Sequence, residues 1–267
     1  MSGTFQQPHE FPMTDFKDNS RFREFQKSGF VVAEELIDAE ERLELCRRTA
    51  DIANGLVAEF PQHDIELEPN ADKCSLQTVR KINRCAKNDS VFARYASNNK
   101  ILEIVEQLLG PDIKLFSSQV FMKPPGGVEK PYHQDSPYFT IEPMAMVTCW
   151  IALDDVTLDN GCLWVIPGSQ HLGPLPHSEK WVVGDRIDMR IPESLFNRNL
   201  EVPIPLQAGS CSFHHGLLLH MSHPNRSDQP RRGVAFHYMT AKSRWTAATP
   251  PESEFPLLRG QSYSGCV

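Results

Sequence analysis

Apolar positions along the chain change their period once. In the first hundred residues they recur every three or four. Leu43, Cys46, Ala50, Ala53, Val57 and Phe60 fall on one face of a helix. Asp38-Ala39-Glu40-Glu41 stands just before them as a capping box, with Asp38 as N-cap and Glu41 three residues on. Phe22, Phe25 and Phe30 are apolar points in a charged stretch that also reads as helical. Residues 61–76 are acidic and turn-like. A helical pair is predicted at Ser90–Ala96 and Asn99–Leu109, and Gly110-Pro111 ends it. Residues 1–15 are polar and proline-bearing, and are expected to form a loose arm.

From residue 112 the pattern is short β-type runs between Pro, Gly and Asn clusters. The runs are KLFSSQVFMK, AMVTCWIALDDV, GCLWVIPGS, EVPIPLQAGSCSFHHGLLLHMS and RRGVAFHYMTA. Short strands with turn signals between them, and no interleaved helices, predict a sandwich or barrel. No linker-like segment divides the two textures. The expectation is one domain over 1–267, with a β core at 112–241 and helices packed outside it.

Composition narrows the function. The chain has 267 residues and a formal net charge of −7. A general nucleic-acid or anionic-membrane binder would be basic. No apolar run approaches the roughly 20 residues of a membrane-spanning helix. The opening MSGTFQQPHEFPMTDF has neither a basic n-region nor an apolar h-region, so no secretory signal is expected there. Seven widely spaced cysteines without a CxxC fit reduced thiols in a cytoplasmic protein. GxGxxG, P-loop, HExxH and GxSxG motifs are absent.

The chemistry-bearing residues begin with Tyr132-His133-Gln134-Asp135. Residues i and i+2 of an extended chain share a face, so His133 and Asp135 can chelate one divalent metal. Alone, an HxD triplet carries little weight, and His220 alone would read as a satisfied core histidine. Together they make a 2-His-1-carboxylate set, which suits Fe(II) and leaves three coordination positions open. Arg231 follows His220 by eleven residues, and its planar fork can bind a carboxylate bidentately. Its neighbour Arg232 should face the other way. His214, His215 and His237 read as supporting or structural histidines. Asp154-Asp155 and Asp159-Asn160-Gly161 read as solvated turns.

The blocks HQD, CWIALDDVTLDNGCLWVIPGSQHLG and HHGLLLHMSHPNRSDQPRR resemble the phytanoyl-CoA dioxygenase family of Fe(II)/2-oxoglutarate oxygenases, over roughly residues 20–240. The resemblance implies a mainly β fold with flanking helices, a cupin-like double-stranded β-helix or jelly roll. It implies iron ligation by His133, Asp135 and His220. Arg231 matches the arginine that pairs with the distal carboxylate of 2-oxoglutarate, with Ser222 donating to the same group. Trp150 matches a cosubstrate-lining tryptophan, and Lys81 the lysine reaching in from the helical part. Gln119 stands at a pocket position where some relatives carry methionine. Gln134 is expected to touch the cosubstrate through its backbone. The helical segments around Lys81 and the loop after Asp135 are the expected lid.

The implied activity is hydroxylation of a small organic substrate with O₂, releasing succinate and CO₂. A non-redox cupin-like metalloenzyme and a jelly-roll binding module are the alternatives, and neither has a use for a carboxylate receptor beside the metal. Intact Asp135 disfavours halogenation, which needs that coordination position. Tyr138, Phe139, His171 and Arg186 are candidates for the outer pocket. The sequence leaves the substrate and the oligomeric state open.

Overall fold

The structure, a computed structural model, describes residues 20–251 and 254–267 and not the side chain of Tyr138. The arm expected at 1–15 lies outside the described residues.

Two antiparallel sheets carry the fold. In the larger, Phe30–Ala33 pairs with Cys211–His215, followed by Met146–Ala152, Arg231–Thr240, Ile113–Lys123, Val79–Asn83 and Ile65–Leu67. Leu257–Arg259 also pairs with Ile113–Lys123. The smaller sheet runs Val202–Ile204, Leu163–Val165, His220–Ser222, Lys130–His133. Residues of both sheets line one cavity. This is the expected double-stranded β-helix with flanking helices.

Alternation along the central strands sorts side chains between two environments. From Met146–Ala152, Val147, Cys149 and Ile151 enter the main hydrophobic core, while Thr148 and Trp150 face the cavity. From Arg231–Thr240, Val234, Phe236 and Tyr238 go to the core, while Arg231, Ala235 and His237 face the cavity. The outer face is covered by helices. Asn99–Leu109 buries Ile101, Leu102, Ile104, Val105, Leu108 and Leu109, each contributing about 1.5–3 kcal/mol if fully desolvated.

The helices start where the caps say. Asp38 accepts from the Glu40 and Glu41 amides, and Glu41 returns a carboxylate to the Asp38 amide. Asp89 and Asn98 cap Ser90–Ala96 and Asn99–Leu109. The helix after Asp38 follows a shorter one at Ser20–Ser28 and is itself shorter than its apolar spacing suggests. It spans Ala39–Ala53 and ends at Asn54-Gly55, with Gly55 at φ +72°. Val57 and Phe60 therefore lie beyond it, and Leu43 is exposed while Leu45, Cys46, Thr49, Ile52 and Ala53 are buried.

Several strands were not anticipated, among them Phe30–Ala33, which begins at the Phe30 read as part of a helix. Ile65–Leu67 is a strand inside the stretch read as turns. Glu179–Val183 and Arg186–Arg190 form a hairpin whose mixed polarity hides its period. Lys81 lies on the strand Val79–Asn83, not on a helix, so the expectation of a helical lid segment around it is corrected.

Candidate functional site

Antiparallel pairing places His220 directly opposite His133. Asp135 lies just past the end of the His133 strand. Ligand atoms of His133, Asp135 and His220 all fall within 4.8 Å of one another, and all three residues are buried. His133 Nδ1 is 2.8 Å from the Pro131 carbonyl and His220 Nδ1 is 2.9 Å from the Leu218 carbonyl. Each ring then donates from Nδ1, and its Nε2 lone pair is free for a metal. His220 Nε2 stands 3.7 Å from Asp135 Oδ1.

The other carboxylate oxygen of Asp135 is held from behind. Thr148 Oγ1 donates to Oδ2 at 2.9 Å, His214 Nε2 lies at 3.5 Å and His237 Nδ1 at 3.8 Å. Burial alone would raise this carboxyl, but His220, His214 and His237 hold it well below the usual carboxylate range. Burial pushes His133 well down, and His220 to about 4. At neutral pH the trio is two neutral imidazoles and one carboxylate. That donor set, with no thiolate, fits Fe(II).

The cavity beside the trio has a volume of about 440 Å³. Arg231 lies in its wall, 7% exposed, with an Nε that has no hydrogen-bond partner. Among the described residues it forms no ion pair. Burial draws its pKa down to about 10, which leaves it cationic at neutrality. A buried, uncompensated guanidinium is costly unless an anion completes it. A planar guanidinium left open in this wall is suited to an anion with two oxygens.

Trp150 forms the adjoining wall, its ring centroid 5.6 Å from the Arg231 guanidinium carbon. The indole packs flat on Gly233, where an added Cβ would lie 2.0 Å from Trp150 Cζ2. Gly233 was missed in the sequence, although its place two residues after Arg231 puts both on one face. Ser222, Lys81 and Gln119 also line the cavity. Lys81 Nζ is 3.7 Å from Glu66 Oε1 and 5.5 Å from the Phe121 ring. Gln119 Oε1 accepts from His237 Nε2 at 2.8 Å.

Gln134 is not brought to the cavity. Its amide nitrogen donates to the Gly173 and Leu217 carbonyls, its Oε1 accepts from Leu175, and its backbone N–H donates to His177. These bonds use its backbone N–H and both side-chain amide hydrogens, which leaves Gln134 no donor for the expected cosubstrate contact. Arg232 does face the other way, in a bidentate pair with Asp154. Asp154 is therefore no solvated turn residue. Neither is Asn160, which is 3% exposed and spans Thr157 N and the Asp155 carbonyl. His215 is a buried structural histidine whose Nδ1 accepts from the Leu217 amide. Of the outer-pocket candidates, Phe139 and Arg186 line the cavity. His171 instead contacts Gln26 and Gln170, and the Tyr138 side chain lies outside the described residues.

The mouth carries a network that spacing could not reveal. Glu66 pairs with Arg80 and accepts from Asn83, while Asp188 bridges Lys130 and Arg186 at 2.7 and 2.5 Å. The Glu179–Arg190 hairpin is thereby tied to the strand that carries His133.

Residues 25–233 match the model of the phytanoyl-CoA dioxygenase family. The chain is 29% identical over 235 residues to the peroxisomal phytanoyl-CoA dioxygenase of Bos taurus, covering 83% of this chain and 68% of that protein. It is also similar to the epimerase SnoN of nogalamycin biosynthesis, solved in complex with Fe3+, alpha ketoglutarate and nogalamycin RO. The identity there is 25% and the TM-score 0.68, over 89% of this chain and 96% of that one. EctD from S. alaskensis with bound Fe shares the fold, with a TM-score of 0.75 at 21% identity, over 96% and 92% of the two chains.

Proposed function

The chain belongs to the phytanoyl-CoA dioxygenase family and is an Fe(II)- and 2-oxoglutarate-dependent dioxygenase; from that premise we propose that His133, Asp135 and His220 hold the iron, and that Arg231 seats the distal carboxylate of 2-oxoglutarate in a hydroxylation of a small organic substrate. The observation that carries the reading is the pairing of the histidine–aspartate trio with a buried, unpaired guanidinium in one cavity. A plain metal hydrolase or a binding module has no need of that second feature.

Iron bound at the trio would supply O₂-dependent decarboxylation of 2-oxoglutarate to succinate and CO₂, coupled to oxidation of the substrate. The chain supplies binding, orientation and exclusion of water. Pro131 and Leu218 carbonyls fix the two imidazoles in the ligating tautomer. Thr148 and His214 engage Asp135 Oδ2, so that Oδ1 is the oxygen presented on the His220 side. Arg231 and Ser222 receive the distal carboxylate, and the Trp150 indole confines the cosubstrate carbon chain. Lys81 and Gln119, further along the wall, are placed to meet cosubstrate or substrate. Phe139 and Arg186 bound the side from which the substrate enters.

All seven cysteines are unpaired, which supports a reducing compartment and, in our reading, the cytoplasm. The test of function is substrate-stimulated succinate formation from 2-oxoglutarate, measured with Fe(II) and O₂ across a panel of small organic acids, amines and ring compounds. One succinate per hydroxylated product is expected. Turnover with Zn(II), without consumption of 2-oxoglutarate or O₂, would overturn it.

A further inference from the structure

Lys123 has no part in the chemistry described so far, yet it is the most confined cation of the cavity wall. It is 5% exposed and stands directly across the strand pair from Arg231. Like charges in opposed positions are unfavourable, and burying each adds a desolvation cost. Burial and the Arg231 charge both push the Lys123 ammonium well below its ordinary value, while Glu68 acts in the opposite sense. A sheet gains nothing in stability from such a pair. Such a pair points to a job other than stability.

The hydrogen bonds say what the job is. Lys123 Nζ donates to Ser222 Oγ at 2.8 Å, to the Ser222 carbonyl at 3.3 Å and to the His223 carbonyl. Three acceptors use all three N–H bonds of an ammonium, so none is left for a ligand. The Ser222 hydroxyl has one proton, and it receives the Lys123 donor on a lone pair. Its own proton must then point elsewhere, and Ser222 lies in the cavity wall with Arg231.

We propose that Lys123 is a positioning residue for cosubstrate binding: it occupies the acceptor side of Ser222 and thereby locks that hydroxyl as a donor toward the carboxylate held by Arg231. This rests on the reading of Arg231 as the seat of the distal carboxylate. The surroundings hold the ammonium in place. The Asn225 amide ties down the Lys123 carbonyl at 2.9 Å, and Asn225 also exchanges backbone hydrogen bonds with the Gly126-Gly127 turn. Gly161, at φ +84°, lies against the lysine, and an added Cβ there would sit 2.4 Å from the His223 carbonyl and 3.2 Å from Lys123 Nζ. The Asn160-Gly161 turn is thus what lets the lysine and its acceptor strand meet.

The experiment is anaerobic calorimetric titration of the Fe(II)-loaded protein with two keto acids. One is 2-oxoglutarate. The other is 2-oxopentanoate, which carries a methyl group in place of the distal carboxylate. For the wild type, 2-oxoglutarate should bind much more tightly. Lys123→Met and Ser222→Ala should each weaken 2-oxoglutarate on the order of tenfold, the effect of losing one hydrogen bond to a charged group. The double variant should be no worse than the weaker single one, and 2-oxopentanoate should shift less than about twofold throughout. Lys123→Gln, which keeps two donors for the strand carbonyls, serves if Lys123→Met does not fold. Additive losses, unchanged 2-oxoglutarate binding in the lysine variant, or equal losses for both keto acids would overturn the proposal. A wild type that does not prefer 2-oxoglutarate would instead overturn the Arg231 reading beneath it.

Discussion

Gly233 and Trp150 stand on neighbouring strands so close that any side chain at 233 would enter the indole, the added Cβ lying 2.0 Å from Cζ2. The two strands pair antiparallel, with Gly233 opposite Ala152 and Ala235 opposite Trp150. The tryptophan therefore leans diagonally over the glycine and toward Arg231. Gly233→Ala should displace the indole and weaken 2-oxoglutarate binding by about tenfold or more, with iron content unchanged, since the metal trio lies on other strands. Titration of cosubstrate and metal analysis on the same preparation check both halves. Overpacking of this kind costs about 1–3 kcal/mol, so a lowered melting temperature should accompany it.

Arg231→Ala should weaken 2-oxoglutarate by about 2–5 kcal/mol, the usual effect of truncating a buried charge-assisted pair. Arg232→Ala should leave the cosubstrate nearly untouched and lower stability instead, because it frees Asp154 from its bidentate partner. Equilibrium dialysis with labelled 2-oxoglutarate separates the two. If Arg232→Ala is the variant that loses cosubstrate, the assignment of faces along this strand is wrong.

Thr148→Val removes the donor to Asp135 Oδ2 while keeping the shape of the side chain. Partners that orient a metal ligand are typically worth 10–100-fold in metal affinity. Fe(II) titration against a competing chelator should show a loss of about that size. Affinity equal to wild type would mean that His214 orients the carboxylate without the threonine.

His215 sets a pH dependence away from the metal. Burial pushes its pKa down to about 3, and its Nδ1 accepts the Leu217 amide. In the unfolded chain an ordinary histidine titrates near 6.5. Between these values the unfolded state binds a proton that the folded state does not, so stability rises with pH across the window. The contribution is fully present above about 6.5 and is lost as pH falls toward 3. The melting temperature of His215→Asn should therefore fall less steeply than that of the wild type between pH 7 and pH 4.5. Parallel slopes would contradict the buried neutral imidazole.

Much of this was legible in the sequence because it is local. The Asp38 capping box, the helix starts after Asp89 and Asn98, and the i, i+2 relation of His133 and Asp135 are set by neighbours along the chain. What was hidden depends on contacts between distant segments. Lys123 stood in view at the end of the KLFSSQVFMK run, but its acceptors are about a hundred residues away, at Ser222 and His223. Asp154 read as a turn residue because Arg232, its partner, is 78 positions on. Gln134 went astray for the opposite reason. Strand alternation correctly sends it away from the metal, but only the fold shows that its backbone N–H is also committed, to His177.

The proposed iron site of His133, Asp135 and His220 works beside the proposed Arg231 carboxylate seat. Its most direct test is anaerobic Fe(II) titration of the apo-protein and of His133→Ala, Asp135→Ala and His220→Ala, each with and without 2-oxoglutarate. One Fe(II) per wild-type chain is expected, bound more tightly when 2-oxoglutarate is present, with loss of most affinity in every variant. Wild-type iron binding by His220→Ala, or iron binding indifferent to 2-oxoglutarate, would contradict it.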